Sequence, residues 1–168
     1  VTVLFLGSNI GNMNAEASMQ FLHDVRTELR TGDRFLLGTD LVKTESELLA
    51  AYDDPLGVTA AFNLNLLARI NRELDADFNL RQFVHRVLWN SRDSCVESYV
   101  VSQREQTVCI TGADCCVRLA KGEAIWTESS FKYTREQVRS LGSLAGFRGV
   151  DQWVESVSTF ALTLFEVT

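Results

Sequence analysis

Three short stretches carry side chains with chemistry to offer. Thr127-Glu128-Ser129-Ser130-Phe131-Lys132-Tyr133 sets a carboxylate two residues from a hydroxyl. At the end of a strand, side chains two apart point to the same face. A carboxylate that accepts hydrogen bonds and a hydroxyl that gives or takes one can then hold a nitrogen-bearing ring. A solvated turn accounts for the same spacing. Gly7-Ser8-Asn9-Ile10-Gly11-Asn12 follows an apolar run. Glycine lets a ligand approach the backbone closely, and Asn12 offers both donor and acceptor. An ordinary strand-to-helix turn has the same composition, and the Lys-Ser/Thr ending of a phosphate-binding loop is missing. Tyr52-Asp53-Asp54 reads most simply as a turn flanking a helix. His23 reads as exposed, and His85 as exposed or packed on a helix. Neither has the companions of a nucleophilic or metal centre.

The cysteines are Cys95, Cys109, Cys115 and Cys116. They lack the paired Cys-x-x-Cys spacing or nearby histidines of a zinc site, so no metal is expected. They are too few and the chain too long for a secreted disulfide framework. Cys115 and Cys116 would point to opposite faces of a strand. All four are expected to be packing thiols in a reducing cytoplasm.

The elements that must position these residues follow from periodicity. Val1 to Leu6 is a continuous apolar run, which suits a parallel strand buried on both faces. Asn14 can cap a helix in which Phe21, Leu22, Val25 and Leu29 recur at helical spacing. Gly32 closes it, and Arg34 to Leu41 follows as a second strand, giving a strand–helix–strand unit with a parallel crossover. Glu45 to Ala51 reads as a short helix. Val58, Phe62, Leu66, Ile70 and Leu74 mark a long amphipathic one. Leu80 to Leu88 reads as a further helix opened by Asn79. From about Arg92 the texture changes. Cys95 to Ser102, Thr107 to Ile110, Cys115 to Leu119 and Ala124 to Thr127 are short β-rich runs that suggest a small antiparallel sheet. Thr134 to Leu144 returns to helix. Val150 to Val157 and Phe160 to Val167 close the chain as a strand pair, with Val157-Ser158-Thr159 near the bend.

Composition bounds the function. The 168 residues carry 16 Lys and Arg against 22 Asp and Glu, a formal charge of −6, and 46% are apolar. A chain of this size can bury roughly 70% of its unfolded surface. Disorder is excluded by that composition, and a membrane span by the lack of 18 consecutive apolar residues. The acidic balance argues against non-specific nucleic-acid binding. Val1 opens the chain within what reads as a strand, which suggests part of a longer sequence.

Taken together, several segments resemble one family, the histidine-specific, S-adenosylmethionine-dependent Nα-methyltransferases of ergothioneine biosynthesis. They are Leu4-Phe5-Leu6-Gly7-Ser8-Asn9-Ile10-Gly11-Asn12, Gly38-Thr39-Asp40-Leu41-Val42-Lys43, Ala51-Tyr52-Asp53-Asp54, Gly57-Val58-Thr59-Ala60-Ala61-Phe62-Asn63-Leu64-Asn65-Leu66-Leu67, Asn71-Arg72-Glu73-Leu74 and Thr127 to Tyr133. The resemblance runs in order over nearly the whole chain. It implies an α/β fold, the C-terminal half of a Rossmann-like methyltransferase sheet with an inserted α+β substrate-binding domain. The core would comprise residues 1–44 and 134–168, and the insertion residues 45–133. It also implies transfer of methyl groups from S-adenosylmethionine to the α-amine of L-histidine, giving hercynine.

Residue by residue, the resemblance implies that Gly7 and Asn12 face the amino-acid backbone, and that Gly7 and Ser8 touch the methyl donor. It implies that Tyr52 holds the α-amino or carboxylate end, while Glu128 and Ser130 grip the imidazole. No residue stands out as a dedicated base. Two positions depart from the family: Ser129 replaces an Asn, and Ser98 stands where a larger apolar side chain is common. The second would loosen the ring pocket, so a tryptophan-type amine is the alternative substrate. The resemblance begins at the family's fourth sheet strand. The Gly-rich turn and acidic residue that cradle the cofactor would lie in an N-terminal half, which is then the expected partner, and these 168 residues are expected not to methylate histidine alone. The alternative class is a free-standing module that binds an amino acid or a partner chain.

Overall fold

The computed structural model describes residues 1–155, 157 and 159–168. In chain order the elements are β1 (Thr2–Phe5), α1 (Ala15–Glu28), β2 (Arg34–Asp40), α2 (Glu45–Tyr52), α3 (Val58–Leu74), β3 (Phe83–Asn90), β4 (Cys95–Ser102), β5 (Gln106–Ile110), β6 (Cys115–Leu119), β7 (Ala124–Phe131), α4 (Arg135–Leu144), β8 (Phe147–Glu155) and β9 (Phe160–Val167). They divide into two compact units. One comprises Val1–Thr44, Asn90–Cys95 and Ser129–Thr168, the other Glu45–Trp89 and Val96–Glu128.

The first unit is built on a four-stranded sheet in the order β1-β2-β9-β8. β1 and β2 are parallel, and β9 runs antiparallel to both β2 and β8. The expected parallel crossover is therefore present. Helix α1 begins where the Asn14 side chain accepts from the Ala17 N–H at 2.9 Å, satisfying a donor the first turn leaves open. Helix α4 begins with a reciprocal cap between Thr134 and Gln137. Leu22, Phe35, Leu37, Val138 and Phe165 are among the fully buried side chains of this core. The run from Val1 is not buried on both faces, because β1 is the edge of the sheet among the described residues and Leu4 is 58% exposed. The closing strand pair is present, and β8 starts at Phe147, three residues before the expected Val150. Of the expected strand end and bend, Ser156 and Ser158 lie outside the described residues.

Helix α4 packs closely on the sheet because Gly142 has no side chain. A Cβ there would stand 2.2 Å from Cε1 of the buried Phe165 ring. Gly142→Ala is therefore expected to destabilise the protein by about 1–3 kcal/mol through overpacking, despite alanine's better helix propensity. Equilibrium denaturation reads this directly, and an unchanged or raised stability would show that the helix is free to shift.

The second unit holds α2, α3, a sheet in the order β3-β4-β7 and the antiparallel hairpin β5-β6. Leu67, Phe78, Phe83, Val100, Val108 and Leu119 form its core. The helix expected over Leu80 to Leu88 is absent. Asn79 caps only a single 3-10 turn, Leu80–Gln82, through a bond from the Arg81 N–H. The chain then extends as β3. Phe83 and His85 are buried while Val84 and Arg86 are exposed, a two-residue alternation. Short apolar runs satisfy either period, and here sheet pairing decided. His85 is accordingly a buried strand residue, whereas His23 is exposed on α1 as expected.

The cysteines also depart from expectation. Cys109 and Cys116 are directly opposite each other on β5 and β6 and form a disulfide, so these two are not packing thiols. The hairpin register brings them together, with Cα atoms 4.0 Å apart. Cys95 is buried and Cys115 exposed, and neither is in a disulfide. No helix among the described residues is long and apolar enough to cross a membrane.

Candidate functional site

The turn after β1 is held in a shape that glycine makes possible. Gly7 has φ +77°, with open space where a Cβ would stand, and Ser8 follows at φ 58°. Residues 9–12 then form one 3-10 turn that ends at the exposed Asn12. A Cβ on Gly11 would stand 2.9 Å from the Phe131 carbonyl oxygen. The turn thus lies directly against the last residue of β7. Ser8 faces inward, where its hydroxyl oxygen accepts from the Asp40 N–H at 2.8 Å. That bond ties the turn to the end of β2.

Ser130 is buried at the end of β7, one residue before Phe131. Beyond it Lys132 is almost fully buried, its side chain 1% exposed. Its ammonium lies 3.0 Å from Ser130 Oγ and 3.0 Å from Asp40 Oδ2. The other oxygen of Asp40 meets Lys43 Nζ at 2.6 Å. Sequence reasoning singled out Ser8 and Ser130 but not Asp40 or Lys132. The available signal was the matched segment itself: a lysine between Phe131 and Tyr133 on a buried strand end must find a carboxylate. Tyr133 stands beside this group, its hydroxyl 3.4 Å from Ser18 Oγ and donating to the Ile10 carbonyl. Burial raises its pKa above the ordinary tyrosine value, partly offset by the bond with Ser18. A cavity of about 690 Å³ opens in the first unit near Asn14, Ser18, Ser94, Tyr133, Glu136 and Leu141. Gly7, Ser8, Asn12 and Ser130 are not among its lining residues.

In the second unit, Glu128 is half-buried on β7. Among the described residues its carboxylate has no hydrogen-bond or ion-pair partner. Strand pleating gives Glu128 and Ser130, two apart on one strand, the same facing. The residue before Glu128 is tightly held: the Thr127 hydroxyl lies 2.7 Å from Asn63 Oδ1 and 2.9 Å from the Ser98 carbonyl oxygen. Asn63 itself donates to the Thr59 carbonyl at 3.2 Å. The asparagine of the Thr-Ala-Ala-Phe-Asn segment therefore fastens α3 to the strand that carries Glu128. Asn71 works similarly, its amide both donating to and accepting from the Phe78 backbone at 2.8 Å.

Tyr52 is the last residue of α2 and is half-buried. Its carbonyl oxygen accepts from His85 Nε2 at 2.9 Å, so the buried histidine braces the end of the helix. Asp54 has the flanking role expected of it. Its carboxylate accepts from the Val58 and Thr59 N–H groups at 3.0 and 2.8 Å, closing the first turn of α3. These bonds hold its pKa down to about 2, from an ordinary 3.8. A carboxyl more acidic in the folded chain stabilises it above pH 3.8 and loses that contribution as the pH falls toward about 2. Asp54→Asn is therefore expected to flatten the acid limb of the melting temperature against pH. An unchanged acid limb would place the sensitivity elsewhere.

Over residues 1–167 the sequence matches the family model described as histidine-specific methyltransferase, SAM-dependent. The chain belongs to this family. It is 43% identical over 162 residues to a histidine N-alpha-methyltransferase of Mycolicibacterium smegmatis, covering 96% of this chain and 50% of that protein. The corresponding enzyme of Mycobacterium tuberculosis is 42% identical over 161 residues, with the same coverage of 96% and 50%. The chain thus spans about half the length of these curated relatives. Ergothioneine biosynthesis protein 1 of Neurospora crassa is 29% identical over 157 residues, covering 90% of this chain and 17% of that protein. In fold, the chain is similar to the CcbJ methyltransferase of Streptomyces caelestis, with a TM-score of 0.51 at 8% identity, covering 99% of this chain and 60% of that one. It is also similar to the PH0226 protein of Pyrococcus horikoshii, with a TM-score of 0.52 at 13% identity, covering 99% and 54%. The Rossmann-like methyltransferase architecture expected from sequence is therefore the one observed.

Proposed function

We propose that this chain is the substrate-recognising half of an enzyme that methylates the α-amine of L-histidine to give hercynine. The observation that carries the reading is Glu128, a half-buried carboxylate without a partner among the described residues, on the same strand face as Ser130. A half-buried carboxylate without a partner favours a ligand that brings an N–H to it. Membership of a histidine-specific family supports the same ligand. The second unit is proposed as the inserted substrate-binding domain, with Tyr52 at the α-amino or carboxylate end of the amino acid.

S-adenosylmethionine supplies the methyl group, as a sulfonium methyl. The residues present fit only its reacting end. The open side of Gly7 leaves room for close approach of a ligand to the backbone, with Ser8 alongside. What these residues do is bind and orient. Gly7 and Asn12 would hold the amino-acid backbone while Glu128 and Ser130 hold the ring, fixing the amine lone pair against the methyl carbon. Such orientation is worth about 7–11 kcal/mol in favourable cases. The amine must be neutral to attack, and no residue among these is assigned as its proton acceptor. We propose the cytoplasm as the compartment, with the Cys109–Cys116 disulfide an exception to the usual reduced state of thiols there.

The test is a methylation assay of the full-length gene product with histidine, tryptophan and S-adenosylmethionine, read by mass spectrometry. Trimethylated histidine supports the reading, and preferential methylation of tryptophan would overturn its substrate. Binding of histidine without turnover by the full-length protein would favour a non-catalytic module.

A further inference from the structure

We propose that the β5–β6 hairpin is a thiol–disulfide exchange site, which a low-molecular-weight thiol opens at Cys116 and the oxidised form of that thiol closes again. In the cytoplasm proposed for this chain disulfides are rare, and those found there are usually transient. Exposed disulfides are the labile ones, whereas structural ones resist reduction. Cys116 is exposed and Cys109 half-buried. Both line a cavity of about 230 Å³ together with Ile110, Thr111, Asp114 and Cys115. An incoming thiolate therefore reaches the Cys116 sulfur first.

In the first step the thiolate sulfur bonds to Cys116 Sγ as the Cys109–Cys116 bond breaks, and Cys109 leaves as a thiolate. A second small thiolate then attacks the attached one at its own sulfur, and Cys116 leaves as a thiolate. The protein disulfide gains two electrons, and the two small thiols are oxidised to their disulfide. Their two protons end on Cys109 and Cys116. The same steps in reverse, starting from the small disulfide, close the hairpin.

Reversal needs sulfurs that stay apposed after the bond is cut, and the backbone provides this. The Cys109 N–H donates to Asp77 Oδ1 at 2.8 Å, and its carbonyl accepts from the Asp77 N–H at 3.2 Å. Both groups thus point away from β6. That makes Cys109 and Cys116 a non-hydrogen-bonded pair of the ladder, the kind whose side chains lie closer. The Thr111 N–H donates to the Asp75 carbonyl at 3.2 Å. A Cβ on Gly112 would stand 2.8 Å from the Leu74 carbonyl oxygen. β5 and the hairpin turn are therefore fixed to the end of α3 without help from the disulfide. β6 exposes Cys115 to Arg118 and buries only Leu119. Opening the disulfide loosens β6 and spares the rest of the unit.

The test incubates the full-length gene product at neutral pH with reduced and oxidised glutathione in a series of ratios. Acid quenching, alkylation and peptide mass spectrometry then follow each cysteine. The Cys109–Cys116 disulfide is expected to open under excess reduced glutathione with the melting transition retained, and to return under excess oxidised glutathione. In Cys109→Ser no resolving thiol remains. Oxidised glutathione is then expected to leave a stable mixed disulfide on Cys116, formed about tenfold faster than the one on Cys109 in Cys116→Ser. Melting temperature checks both variants, and the wild-type titration carries the test should either fail to fold. A Cys109–Cys116 bond that survives excess reduced glutathione in the folded protein, as a structural cross-link would, overturns the proposal. So does a pair that fails to form under excess oxidised glutathione, or glutathione found on Cys115 in place of Cys116.

Discussion

Replacing Glu128 with Gln in the full-length gene product is expected to lower kcat/KM for histidine about a hundredfold, with S-adenosylmethionine affinity changed less than about twofold. The substitution preserves size and removes the charge. It leaves an amide that can turn an N–H toward the ring where only an acceptor serves. Because Thr127 is anchored to Asn63 and to the Ser98 carbonyl, the strand beneath Glu128 should hold its course in the variant. The effect would then be local to the ring. Parallel losses in methyl-donor binding and in histidine use would mean that the strand, not the carboxylate, was the cause, and would count against the imidazole role.

Asp40→Ala is expected to destabilise the protein by about 3 kcal/mol, because it leaves the Lys132 charge buried without its carboxylate. The side chain of Asp40 is 19% exposed while that of Lys132 is 1% exposed, so water can reach the site of the aspartate more readily than the ammonium. This places the estimate at the lower end of the range for broken buried pairs. Chemical denaturation would measure it. Adding Lys132→Met to Asp40→Ala should restore part of the loss, since an apolar side chain suits the buried site better than an ammonium deprived of the Asp40 carboxylate. A double variant as unstable as the sum of the two singles would show that the pair does not couple.

Much of the first unit was legible in the sequence because its signals are local. Asn14 with the apolar spacing of Leu22, Val25 and Leu29 specifies α1, and the run from Thr134 to Leu144 reads as the helix that α4 forms. The second unit was harder. Val84, Val87 and Leu88 fit either a helix or a strand, and only pairing within the β3-β4-β7 sheet distinguishes them. Val1 to Leu6 has the composition of a doubly buried strand and stands at the sheet edge, because burial depends on neighbours that the run does not encode.

The matched segments identified the family by resemblance, while residue types and periodicity gave the α/β class and placed a carboxylate and a hydroxyl two apart on a strand. These follow from order along the chain, which no folding step alters. Only the tertiary structure decided that Cys109 meets Cys116, that His85 braces the end of α2, and that Asp40 and Lys132 stand beside Ser130. The disulfide joins residues seven apart across a hairpin, while His85 with Tyr52 and Lys132 with Asp40 join residues distant in sequence. Their meeting depends on strand register and on how a buried charge finds its partner, and both are properties of the packed chain.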